Sequence, residues 1–221
     1  MSRDWLGLGA LFFLASFVIS LGLGGTDLGH IPWYLSRASG IASFVLLSGS
    51  VVLGLLISTK AADPLAPRAL IFDLHQFLSV LSLSFIGLHA GSLMFDGFLH
   101  FSPLQLLVPF TAPYRPFWTG LGVIGAWLTV IVTASFWFRK QIGQRRWRTL
   151  HYATFGAYLL ALVHGFTAGS DTQLSVVYWS YVLSGAAVGA LLSYRIATPR
   201  PAAARAARRP AASRATSRVD G

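Results

Sequence analysis

FDLHQFLSVLSLSFIGLHAG (72–91) and RRWRTLHYATFGAYLLALVHG (145–165) decide how this chain reads. Each stretch is dominated by apolar residues, and each holds two histidines, His75 with His89 and His151 with His164. An ionisable side chain at membrane depth is costly, so each such histidine marks a functional site by default. A lone imidazole can be absorbed by a hydrogen bond to a neighbouring helix. Two on each of two runs, at nearly matched separation, ask for a shared ligand.

The surrounding sequence puts these runs in a bilayer. Of 221 residues 54% are hydrophobic and 11% charged, with a mean hydropathy of +0.62. Crossing a hydrocarbon core of roughly 30 Å takes about 20 apolar residues. Six runs qualify: Trp5–Gly24, Arg37–Ser58, Leu70–Phe95, Phe117–Phe138, Thr149–Ala168 and Leu174–Tyr194. Almost no charge intrudes on them, and short alternating barrel strands are not seen, so helices are expected. The first run is longer than a signal-peptide core and lacks a small-residue cleavage site before polar sequence, so it reads as a retained helix. The expected fold is an all-α membrane protein, a bundle of six transmembrane helices. Residues 1–198 form the transmembrane domain and residues 199–221, rich in Ala, Pro and Arg, a disordered basic cytoplasmic tail.

Charge sets the expected orientation. Alternating the loops between the two sides gives one side 15 of the 17 Lys and Arg residues and leaves Arg37 and Arg115 on the other. By the positive-inside rule both termini are cytoplasmic, as are the loops joining the second run to the third and the fourth to the fifth. Topology thus accounts for the net charge of +10 without nucleic acid. The outer loop DGFLHFSPLQLLVPFTAPYRP (96–116) is expected to carry a short interfacial helix around Pro103–Phe110 that caps what lies beneath.

With no cysteine, disulfides, iron–sulfur clusters and thioether-linked haem are excluded. On a helix the step from His75 to His89 rises about 21 Å and that from His151 to His164 about 19.5 Å. The third and fifth runs both go from cytoplasm to outside, so His75 matches His151 in depth near the inner face, and His89 matches His164 near the outer. Each pair can grip one flat metal macrocycle, and two imidazoles on one iron favour electron transfer over oxygen binding. Mononuclear zinc or copper would need three or four converging ligands at each depth. One feature fits poorly: fourteen residues return a helix to within about 40° of its starting azimuth, thirteen leave it about 140° away. Either the fifth run is locally distorted or its two ligands face different ways.

Gly87, Gly91, Gly156 and Gly165 flank the ligands, either clearing room for porphyrin faces or serving ordinary close helix packing. Arg37 and Arg115 outside, with Arg68 and Arg148 inside, are candidates to pair with haem propionates or to anchor at the interface. His30 and His100 fall in outer loops, where a histidine is usually just solvated.

At these residues the chain resembles the ferric reductase-like transmembrane domain, a group taking in ferric reductases, NADPH oxidases and the haem membrane subunit of the bacterial periplasmic methionine sulfoxide reductase system. The resemblance rests on the two-plus-two histidine pattern and spans roughly Arg37 to Tyr194. YRPFWTGLG (114–122), RRWRTLHY (145–152) and VHG (163–165) are similar to the sulfoxide-reductase partner in particular. It implies two b-type haems, His75 and His151 ligating the inner iron and His89 and His164 the outer, with electrons passing from a cytoplasmic-side donor to an extracytoplasmic acceptor. Ferric reductases and NADPH oxidases continue into a flavin- and nicotinamide-binding domain, for which this chain shows no G-x-G-x-x-G motif. A separate cytoplasmic or membrane donor is therefore expected, with any flavin on that partner. The sulfoxide-reductase partner need not carry the inner histidine of the third run, whereas His75 is present here, which favours a general two-haem conduit.

The expectation is thus a multi-pass protein of the cell membrane, in a bacterium the inner membrane, acting as the cytochrome b-type component of an oxidoreductase. The alternatives are the haem subunit of the periplasmic repair reductase and a haem-free transporter with a histidine relay. Relays usually mix in intramembrane carboxylates, and the runs contain one, Asp73.

Overall fold

The computed structural model describes residues 30–64 and 66–198; the expected first helix and the basic tail lie outside the described residues. About 80% of the described residues are helical, and none of them forms a strand. In chain order the helices are α1 (Ile31–Thr59), α2 (Arg68–Leu93), α3 (Pro103–Leu107), α4 (Pro116–Ser135), α5 (Arg139–Ile142), α6 (Gln144–His151), α7 (Ala153–Ala168) and α8 (Ser175–Ala197), with a 3-10 turn at Ser170–Gln173 before α8. Four of them, α1, α2, α4 and α8, are long and apolar enough to cross a membrane.

The expected fifth span, Thr149–Ala168, is not one continuous helix. It breaks at Tyr152, between α6 and the 16-residue α7. Here the hydrogen bonds tighten to a three-residue step, Tyr152 N–H to Thr149 O at 3.2 Å and Phe155 N–H to Tyr152 O at 3.1 Å. A 3-10 step turns the chain by about 120° per residue where an α-helix turns about 100°. A local distortion, one of the two outcomes left open by the 13-residue spacing, is therefore present immediately after the first histidine of the pair.

Proline opens α1, α3 and α4, where a missing N–H costs nothing. The short helix expected in the 96–116 loop is present as Pro103–Leu107, three residues shorter than expected, held by a capping box between Ser102 and Gln105. Leu107 then accepts a hydrogen bond from the Trp127 indole at 2.9 Å, tying this loop to α4.

The bundle is organised by α1, which packs along α2 on one flank and against α7 and α8 on another, while α4 packs along α7. Phe44, Val51 and Leu55 of α1 meet Tyr158 of α7 and Val177, Tyr181 and Val188 of α8 in the buried apolar core. A polar thread crosses it, Tyr158 Oη to Ser184 Oγ at 2.6 Å and Ser184 to Ser48 at 3.0 Å, the kind of hydroxyl contact that joins helices where apolar burial gives little drive. Facing α2 and α4 the bundle is hollow instead.

Candidate functional site: two histidine-lined cavities

Two cavities run in line through the bundle. One, of about 360 Å³, opens near the basic end and is lined by His75 and His151. The other, of about 330 Å³, lies towards the 96–116 loop and is lined by His89 and His164. Both fall in the range of cofactor pockets, roughly 300–1,000 Å³. Leu47 and Thr129 line both, so a single layer of side chains separates them. Phe98, Leu99, Phe101 and Leu106 close the second, which gives the outer loop its expected capping place.

The histidines pair as the depth argument predicts. The His75 and His151 ring centres are 6.2 Å apart with planes at 79°, and those of His89 and His164 6.3 Å apart at 69°. A metal ion held between two imidazoles at about 2.0–2.1 Å, with about 1.1 Å more from each nitrogen to its ring centre, requires a separation of about 6.3 Å. Among the described residues no cluster of three or more His, Cys, Asp or Glu is placed to hold a metal ion, and in each cavity two histidines face each other.

Three of the four rings are oriented by one repeated device. His75 Nδ1–H donates to the Ser50 carbonyl at 2.8 Å, His89 Nδ1–H to that of Ser36 at 2.8 Å, and His164 Nδ1–H to that of Trp118 at 2.9 Å. A carbonyl only accepts, so Nδ1 carries the proton and Nε2 keeps its lone pair for a ligand. Four residues after each acceptor stands a glycine. The ring lies over that position to reach the carbonyl, and an added Cβ there would collide with it at Gly122 and Gly40 and crowd it at Gly54. A Cβ on Gly122 would sit 2.6 Å from His164 Nδ1, one on Gly40 2.9 Å from His89 Nδ1, and one on Gly54 3.3 Å from His75 Cε1.

These cradle glycines went unnoticed in the sequence reading. Their signal was available, since Gly40 and Gly54 on α1 are 14 residues apart, the same step as His75 to His89 on α2. Two of the glycines that were noticed serve packing. Gly165 meets the Tyr181 ring, with Oη 2.6 Å from an added Cβ, and Gly156 has only Leu128 nearby at 3.8 Å. Gly91 is buried, and Gly87 is half-buried.

His151 departs from the device. Its Nδ1 is buried without a hydrogen-bond partner among the described residues, as is the Nε1 of Trp147. Its ring instead stacks on Trp147, one turn earlier in α6, with centres 5.0 Å apart and planes at 27°.

Of the candidate arginines, Arg37 lines the second cavity and Arg148 the first. Arg37 is committed to an ion pair with buried Asp171, Nε to Oδ2 at 2.7 Å, and lies over the Trp33 ring at 4.0 Å. Arg115 bonds the Thr167 carbonyl, and Arg68 the carbonyl of Ile57, a wall residue of the first cavity, at 3.0 Å; neither arginine itself lines a cavity. Arg195 lines the first cavity beside Tyr152 and was not singled out from sequence. His30 and His100 are exposed, as is Asp73.

Fold and site together define a helical protein, four of its helices able to cross a membrane, with two stacked cavities that each present a facing pair of imidazoles. No family model, curated protein or solved structure matches the chain.

Proposed function

We propose that the chain is a membrane electron conduit in which His75 and His151 ligate one b-type haem and His89 and His164 a second. The observation that carries this reading is the pair of ring separations, 6.2 and 6.3 Å, each across its own cavity. A haem bound there would be held by the two facing imidazoles and would supply a one-electron iron couple. The residues of the chain do the rest. The Ser36, Ser50 and Trp118 carbonyls fix three ligand tautomers and raise the basicity of Nε2. Leu47 and Thr129 leave a thin wall between the sites, and the lining of both is mostly apolar.

In the orientation expected from charge, the His75/His151 site is the inner one and receives electrons from a separate cytoplasmic or membrane donor. The His89/His164 site passes them to an extracytoplasmic acceptor. Delivery to a periplasmic methionine sulfoxide reductase is the narrower version of this reading. The test is the absorption spectrum of detergent-purified protein, oxidised and dithionite-reduced, with a haem-to-protein ratio. Two low-spin b-type haems per chain are expected. A ratio near one would remove one histidine pair from the proposal, and haem-free protein from a haem-replete host would end it.

A further inference from the structure

We propose that Trp147 is the positioning residue for His151, standing in for the carbonyl that orients the other three histidines, and that the His75/His151 centre is in consequence the more loosely ligated of the two. This rests on the two-haem reading above. A hydrogen bond from the outer nitrogen of a ligating imidazole fixes the ring and strengthens the ligand. His75, His89 and His164 have that bond; His151 Nδ1, though buried, has no acceptor among the described residues.

What holds the His151 ring is the face of Trp147, stacked at 5.0 Å and braced in turn by the Phe136 ring at 6.3 Å. The Trp147 indole Nε1 likewise has no hydrogen-bond partner among the described residues, so its ring face is the contact it makes with His151. A stack fixes the plane of the imidazole. It leaves the ring free to turn within that plane and feeds no charge towards Nε2. Four positions along α4 and just past its end show why the device fails here. Trp118 accepts and Gly122 makes room; fourteen residues on, the equivalent positions are Val132 and Phe136. Phe136 is a bulky ring where a glycine is needed, and α4 has already ended at Ser135.

The experiment uses haem-loaded full-length protein, reduced with dithionite and exposed to carbon monoxide, with spin state read by optical and EPR spectra. Trp147→Leu should raise the carbon monoxide-binding fraction of the His75/His151 centre severalfold, and Trp147→Phe, which keeps a stacking face, should restore near-wild-type behaviour. In a His89→Ala background, which leaves only that centre, the effect should persist; in a His75→Ala background it should vanish. A low-spin, carbon monoxide-inert centre in Trp147→Leu would overturn the proposal, and so would an equal change at both centres, which would mean general loosening. Should Trp147→Leu not fold, the wild type decides: carbon monoxide should react first at the His75/His151 centre, and equal behaviour of the two centres overturns the inference. Wild-type protein that binds no haem at all would instead remove the two-haem reading itself.

Discussion

Gly122→Ala is the smallest change that should empty one site and leave the other. The added methyl carbon would stand 2.6, 2.7 and 2.8 Å from Nδ1, Cγ and Cε1 of His164, across the whole near edge of the ring. Comfortable carbon contacts lie at about 3.5–4.0 Å, so ring or helix must retreat by about 1 Å. Retreat along that line stretches the 2.9 Å bond to the Trp118 carbonyl beyond hydrogen-bonding range. Overpacking of this kind costs about 1–3 kcal/mol. Losing the partner of a metal-bound histidine lowers metal affinity about 10–100-fold.

The expected result is weaker haem binding at the His89/His164 site by at least that factor, with the His75/His151 spectrum unchanged. The other glycines calibrate it. Gly40→Ala, at 2.9 Å from His89, should act on the same site less severely, and Gly54→Ala, at 3.3 Å from His75, should act mildly on the other. Gly156→Ala, with its nearest neighbour at 3.8 Å, should be tolerated or slightly stabilising, since alanine is favoured over glycine in a helix by about 1 kcal/mol. Haem titration of each purified variant, followed by reduced-minus-oxidised spectra, reads the whole series. Gly122→Ala protein that binds two haems with unchanged affinity, or Gly156→Ala protein as damaged as Gly122→Ala, would refute the cradle.

Three further outcomes are expected. His89→Ala should lower the haem-to-protein ratio from two to one and spare the His75/His151 spectrum; equal loss of both haems from folded protein would break the pairing. Arg37→Ala strands the buried Asp171 carboxylate, and because Arg37 is partly exposed the cost should fall between the roughly 0–1 kcal/mol of a surface pair and the 3–5 kcal/mol of a buried one, read as a lowered Tm in detergent. Arg37→Ala with Asp171→Asn should recover part of that loss. Tyr158→Phe removes the hydroxyl at the head of the Ser184–Ser48 thread and should destabilise by about 0.6–1.7 kcal/mol, checked by denaturant unfolding, with both haem spectra preserved.

The spans α1, α2, α4 and α8 were legible because long apolar runs with charged ends admit few other structures, and their observed ends differ from the expected ones by one to six residues. The pairing of His75 with His151 and His89 with His164 was legible for a related reason, since helical rise converts sequence spacing directly into depth. The 13-residue spacing left a distortion of the fifth run open but not its place, because the break at Tyr152 is a change of hydrogen-bond register in a segment whose composition continues without interruption. The ion pair of Arg37 was not legible either: Asp171 lies 134 residues away on a 3-10 turn, outside any apolar run, and nothing local connects the two.

The departures at His151 share one origin. On the antiparallel pair α1 and α2, a step of 14 residues is nearly four helical turns, so Ser36 with Gly40 and Ser50 with Gly54 meet His89 and His75 in two equivalent cradles. The pair α4 and α7 starts the same way, with Trp118 and Gly122 receiving His164. One 14-residue step further along α4 the helix has run out, and on the partner strand of the bundle His151 belongs to α6, across the break from α7. The 13-residue spacing, the missing glycine at Phe136 and the unpartnered Nδ1 are thus consequences of the bundle ending one cradle early on this side. A histidine held by a ring face in place of a carbonyl is what that truncated geometry leaves at His151.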